Sequence, residues 1–356
     1  MPKKLVIFCD GTWNKPTRYS TNVLRMLQAT ESKDGDENAQ LVHYIAGVGT
    51  QRSLRFRGGA FGYGISENIR NAYSFIVSNY ERGDEIFLFG FSRGAFTARS
   101  IAGLVRNFGV LMRQHLPCAG LAYNHYRDKK DKDWHPAGSK TKEFRKKYCV
   151  DADTKIKFLG VWDTVGALGA PYGAVLGWII DKLFKCSFHD TTLSTYVLSA
   201  YHAIAKDERR WPFRPTSWKL QPEHEDRNNK SMKARGYLLY EEKWFAGVHG
   251  DVGGGCELTG LSDCALEWMA SCARRHGLNL DLNRIDDIHS RRFAPNSAQE
   301  IGQSQRWLYW LPTVAFVKLP SLLKLNTVYP RKDRDLVKNI TIWGDYIRPT
   351  KFGHDT

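Results

Sequence analysis

The chain has 356 residues, 42% of them apolar and 25% charged, an ordinary balance for a folded globular protein that excludes collagen-like and low-complexity classes. Lys and Arg number 52 against 37 Asp and Glu, a formal net charge of +15 that favours anionic partners, nucleic acid or phospholipid headgroups, without choosing between them. Seven cysteines with no CxxC pair exclude a disulfide scaffold and a zinc ribbon and point to a reducing compartment.

The first element, KLVIFCDGT from Lys4, is a basic start and an apolar run that stops at Asp10. That run is too short for a signal-peptide core, and no apolar run approaches the length of a membrane span. The expected location is therefore the cytoplasm of the producing cell, with any export taking a route other than a standard signal peptide. LVHYIAGVGT from Leu41 is a weaker strand of the same kind. ISENIRNAYSFIVSNY places Ile65, Ile69, Tyr73, Ile76 and Val77 on one helical face. EIFLFGFSRG from Glu85 is the next strand, and RGAFTARSIAGLVRNF follows at once as a helix with one small, apolar side. Residues 127–147 are dense in charge and read as a surface insertion.

KIKFLGVWDTVG from Lys155 is a further strand. The apolar stretch after it, about 166–190, reads as a lid or interfacial helix, or as a packing helix. TLSTYVLSAYHAIAKDERR has Val197, Leu198, Tyr201, Ile204 and Ala205 at helical spacing, which predicts a helix containing His202. EKWFAGVHGDVGGG from Glu242 is the last strand. LSDCALEWMASCARRHG is a helix predicted to start at a Ser262 cap and end at Gly277, with Cys264 and Cys272 in the core. Strands alternating with helices imply a doubly wound, mostly parallel sheet with helices on both faces. The catalytic unit spans 1–279. The remainder, 280–356, lacks a βα rhythm and reads as an extension that flanks or packs on it, with a second interfacial candidate in RWLYWLPTVAFVKLPSLLKL.

Chemistry concentrates where the strands end. Gly90-x-Ser92-x-Gly94 lies between a strand and a helix, the setting of a nucleophile elbow. A serine hydroxyl needs a base, and the base an orienting acid, in the chain order Ser, Asp, His for this architecture. Asp163 and His249 follow later strands and satisfy that order. The N–H of Arg93 supplies one oxyanion donor, and Gly11 or Thr12 in CDGTWN the other. Asp10, Asp251 and His202 are candidates for supporting roles around these residues. This mechanism calls for no cofactor and no metal.

The segments LVIFCDGTWN, YIAGVGT, GFSRGAFTARSIAGLV, GVWDTVGALGAP, FHDTTLSTYVLSAYHAIAKDERRWPFRPTSW and WFAGVHGDVGGGCELTGLSDCALEWM resemble the signature blocks of one α/β-hydrolase family. That family includes the first class of type VI secretion phospholipase effectors, and the blocks run in order as far as about Gly277. The resemblance implies an α/β-hydrolase-like fold, a triad on Ser92, Asp163 and His249, and phospholipid deacylation. It also implies delivery into rival bacteria in some members, with a secretion apparatus and an immunity protein as partners. The effectors often carry long membrane-binding modules. Here only the charged insertion and the tail after Leu280 are available for peripheral membrane contact.

Two other classes compete with a serine hydrolase acting on phospholipid or another acyl ester. A metal-dependent phosphohydrolase would use Asp10, Asp163, His249 and Asp251 as ligands. A basic nucleic-acid-binding module would use Arg127–Lys147. No nucleic-acid motif accompanies that segment, so nucleic acid is not the expected partner.

Overall fold

A computed structural model describes residues 2–11, 19–47, 60–128, 130–165, 192–210, 213–285 and 293–302. Thr12, the lid candidate and most of the C-terminal extension lie outside the described residues. Six strands form one parallel sheet: β1 (Lys4–Cys9), β2 (Gln40–Ile45), β3 (Glu85–Phe91), β6 (Phe158–Trp162), β7 (Ala200–Ala205) and β8 (Tyr240–Phe245), in the spatial order β2-β1-β3-β6-β7-β8. A small antiparallel pair, β4 (Val110–Leu111) and β5 (Cys149–Asp151), lies apart from it.

The central strands are apolar on both sides because both sheet faces are covered. Leu5, Ile7, Ile86 and Leu88 face a core completed by α2 (Ala60–Asn79) and α3 (Arg93–Phe108). Val6, Phe8, Phe87 and Phe89 alternate onto the other face, which α1 (Asn22–Ala29) and an α8 helix (Gly260–Arg275) cover. Aromatic pairs knit this second layer. Phe8 stacks on Phe89 at 5.1 Å and Phe89 meets Phe158 at 5.3 Å, each pair contributing about 1 kcal/mol beyond its area. Cys264 and Cys272 are both buried, Cys272 within this layer.

The stretch predicted as a helix around His202 is strand β7, fully buried and hydrogen-bonded to β6 on one side and β8 on the other. A short apolar run with both faces buried has no period that separates helix from strand, and pairing on two edges decides the outcome. The cap of α8 also differs from the sequence reading. The helix begins at Gly260 with Thr259 at the N-cap, while Ser262 lies inside the first turn and donates to the Thr259 carbonyl at 2.8 Å. The earlier start is supported from the extension, where Gln299 Oε1 accepts the Gly260 N–H at 2.7 Å.

The charged insertion is more ordered than a loop. It includes the end of α4 (Ala119–Arg127), a short turn at Lys132–Trp134 and most of α5 (Ser139–Tyr148). Trp134 and Phe144 anchor it to Phe108 at the C-terminal end of α3, the end remote from Ser92. A cavity of about 420 Å³ is walled by the outer half of α3, by the insertion and by the segments around Leu193 and Trp218, with Arg99, Arg106 and Trp134 among its lining residues. Ser92, Asp163 and His249 do not line it. The polar helix α6 (Pro222–Arg235) was invisible to an apolar-periodicity reading because it buries only His224 and Ser231. A short helix, α7 (His249–Gly253), follows β8.

Candidate active site

The parallel register brings the strand ends level. Cys9 pairs with Gly90, Phe91 with Trp162, Trp162 with Ala203, and Ala205 with Phe245. The residues that follow these ends therefore meet along one edge. Strand order reverses at β1, so the β1 and β3 ends flank the switch point where ligands gather in open parallel sheets.

Ser92 sits between β3 and α3 with φ 57° and ψ −120°, a conformation non-glycine residues rarely adopt. Its N–H is tied to the Trp162 carbonyl at 3.0 Å, which helps hold the turn. The flanking glycines are required by contact. A Cβ on Gly90 would lie 2.5 Å from the Gly94 carbonyl, and one on Gly94 would lie 2.1 Å from the Cys9 carbonyl. Gly94→Ala must therefore push α3 away from β1. It should lower stability by about 3 kcal/mol or more in a denaturant titration. Gly120→Ala, in α4 with open space around it, should leave the midpoint unchanged or raise it.

Asp163 follows β6 with φ 34° and is fully buried. Its N–H donates to the Ala203 carbonyl at 2.7 Å, and its Oδ1 accepts the Ala205 N–H at 3.0 Å. Oδ2 is left facing His249 Nδ1 at 2.6 Å. His249 opens α7, and its Nε2 lies 2.9 Å from Ser92 Oγ. With Asp163 accepting from Nδ1–H, Nε2 is the acceptor for the serine proton. The rings of Phe91 and Phe213, at 4.6 and 4.8 Å, pack against the imidazole. The structure thus brings Ser92, His249 and Asp163 into one hydrogen-bonded relay.

The other sequence candidates surround this relay. Asp10 accepts from the hydroxyls of Thr21 and Tyr44 at 2.9 and 2.7 Å and from the Gly11 N–H at 2.6 Å, fixing the start of the loop after β1. The Gly11 N–H is therefore occupied in this conformation, and Arg93 is the first residue of α3, directly after Ser92. His202 Nε2 accepts the Thr164 N–H at 3.1 Å and its Nδ1 faces Glu242 at 2.9 Å, bracing the residue after Asp163. Asp251 accepts the N–H groups of Val248 and Gly302. Burial, the largest influence on it, pushes its carboxyl above the usual range.

Among the described residues no group of three or more His, Cys, Asp and Glu is arranged to hold a metal ion, so Asp10, Asp163, His249 and Asp251 do not converge as the phosphohydrolase reading required. Sequence reasoning missed Glu208 and Arg210, whose carboxylate and guanidinium pair behind the His249 backbone. Their signal is an acidic-basic run directly after β7, hidden because the apolar spacing of that strand also suits a helix.

A parallel sheet carrying a serine, a histidine and an aspartate at its carboxyl edge defines a hydrolase of the α/β type. The catalytic-domain model of Tle1-like type VI secretion system phospholipase effectors matches residues 3–272, and the chain belongs to that family. It is 28% identical over 240 residues to Uncharacterized protein YEL023C of Saccharomyces cerevisiae, covering 62% of this chain and 33% of that protein. The chain thus spans about a third of that relative's length. Among solved structures, an uncharacterized protein from Pseudomonas aeruginosa is similar at 16% identity, with a TM-score of 0.46, over 83% of this chain and 49% of that one. The Tle1 effector bound to the VgrG spike of the type 6 secretion system is similar at 18% identity and a TM-score of 0.42, over 71% and 51% of the two chains.

Proposed function

We propose that this chain is a serine esterase that cleaves acyl esters of phospholipids, a phospholipase A type of reaction, with Ser92 as nucleophile, His249 as general base and Asp163 as the orienting acid. The observation that carries the reading is the continuous relay of 2.9 and 2.6 Å from Ser92 Oγ through His249 to Asp163, starting at a strained strand–helix turn. His249 Nε2 takes the proton as Ser92 Oγ attacks the ester carbonyl, and returns it to the departing lysolipid alcohol. Water, activated by the same histidine, then releases the fatty acid from Ser92. The Arg93 N–H and a second donor from the loop after β1 hold the oxyanion. The close approach of Gly94 to the Cys9 and Asp10 carbonyls brings that loop against the start of α3. Family membership supports lipid as the ester, and delivery through a type VI apparatus belongs to the same proposal.

The test is product analysis by mass spectrometry on mixed phospholipid vesicles. Free fatty acid and lysolipid are expected from the wild type, whereas diacylglycerol or phosphatidic acid would overturn the assignment. Chelation separates this reading from the metal-dependent one. Excess EDTA should leave the hydrolysis rate of a soluble ester within about twofold of its starting value, because neither the nucleophile nor the base is generated by a metal in this mechanism.

A further inference from the structure

We infer that Glu208, paired with Arg210, is a positioning residue that sets the placement and charge balance of His249. The inference rests on His249 being the general base. Glu208 has a fully buried side chain, an expensive place for a carboxylate unless its oxygens are satisfied. They are. Oε1 accepts the Arg210 backbone N–H at 2.7 Å and Nε at 3.0 Å, and Oε2 accepts the guanidinium at 2.8 Å. Oε2 also accepts the backbone N–H of His249 at 3.2 Å. That N–H belongs to the first residue of α7, which has no partner for it within the helix. A residue after β7 thereby fixes where the imidazole-bearing residue begins.

Arg210 completes a second route to the same ring. Its guanidinium lies 3.9 Å above the Phe213 ring, and Phe213 packs edge-on against the imidazole at 4.8 Å. One ion pair therefore holds His249 by its backbone and by its ring face, and adds no net charge beside it. The groups arrayed around His249 come from four elements. Ser92 and Arg93 open α3, Asp163 follows β6, and Asp207, Glu208 and Arg210 follow β7. Asp251 lies on α7 itself, with Cys256 just beyond it. Asp207 holds Gly247 through two bonds, accepting its N–H at 2.7 Å and donating to its carbonyl at 2.9 Å. Glu208 and Arg210 are the pair whose charges cancel, so removing either one alone unbalances the site.

The experiment is the pH dependence of kcat/KM for p-nitrophenyl butyrate in the full chain, after wild-type labelling at Ser92 by a fluorophosphonate has been scored. Glu208→Gln removes a negative charge from beside His249, which disfavours a charged imidazole and moves the acid limb to lower pH. Arg210→Gln leaves the carboxylate uncompensated and moves the limb to higher pH. Each shift should be about one pH unit, the size expected when one nearby charge is removed at an effective dielectric between those of water and a dry interior. The double variant Glu208→Gln/Arg210→Gln should return the limb to within a few tenths of a unit of wild type. Opposite shifts with a restored double variant are not produced by loss of packing alone. If Glu208→Gln does not fold, the upward shift of Arg210→Gln carries the test. Coincident acid limbs in a chain that labels at Ser92 would overturn this inference and leave the esterase reading standing. Absence of labelling in folded wild type would overturn both.

Discussion

Ser92→Ala should abolish fluorophosphonate labelling and lower ester hydrolysis by about 10⁴-fold or more, with the fold intact. The effect is large because the substitution removes the attacking atom itself. What remains is the rate supplied by oxyanion donors and substrate positioning. The fold survives because, among the described residues, Ser92 Oγ bonds only His249 Nε2. The backbone at φ 57° is as strained for alanine as for serine, so Ser92→Ala neither relieves nor adds strain there. Ser92→Gly separates the two properties. It loses the same activity but relaxes the turn, and should unfold at higher denaturant than Ser92→Ala by roughly 1 kcal/mol. The stability difference reports the strain at φ 57°, and the loss of labelling and activity in both variants reports the nucleophile. Retention of hydrolysis by Ser92→Ala would move the chemistry away from this serine.

Residues that end buried strands were the most legible part of this chain. Asp10, Ser92, Asp163 and His249 could each be placed because a run such as FLFGF or FLGVW stops abruptly at a polar residue, and a parallel sheet aligns all such stops on one edge. Glu208 and Arg210 escaped for the converse reason. YHAIA has apolar residues at spacings that suit a helix as well as a strand, so the polar run after it did not register as a strand end. Helix α6 escaped because a segment with two buried side chains carries no apolar stripe. The α8 start lies earlier than its local serine suggests because its first N–H is satisfied by Gln299, a partner distant in sequence. Local chemistry is written locally. Which face a strand buries, and which distant carbonyl or amide completes a cap, is decided by the assembled sheet.

Asp163→Asn should cost about 10⁴-fold in kcat near neutral pH while leaving stability within about 1 kcal/mol of wild type. The substitution keeps size and shape, and asparagine tolerates a positive φ at least as well as aspartate, so the turn after β6 is undisturbed. The loss comes from which atom of the amide faces which partner. The Ala205 N–H points at Oδ1 and can be satisfied only by an acceptor, so the carboxamide oxygen is held there. The NH₂ then takes the place of Oδ2, 2.6 Å from His249 Nδ1, and requires that nitrogen to accept. A neutral imidazole that accepts at Nδ1 carries its proton on Nε2, the atom facing Ser92 at 2.9 Å. The base is then present and in place, but in the tautomer that donates to the serine instead of accepting from it. Rate measurements together with ¹⁵N chemical shifts of the His249 ring test this directly. The expected result is a protonated Nδ1 in the wild type and a protonated Nε2 in Asp163→Asn. A variant that retains the wild-type tautomer and still loses its activity would show that Asp163 acts by charge alone.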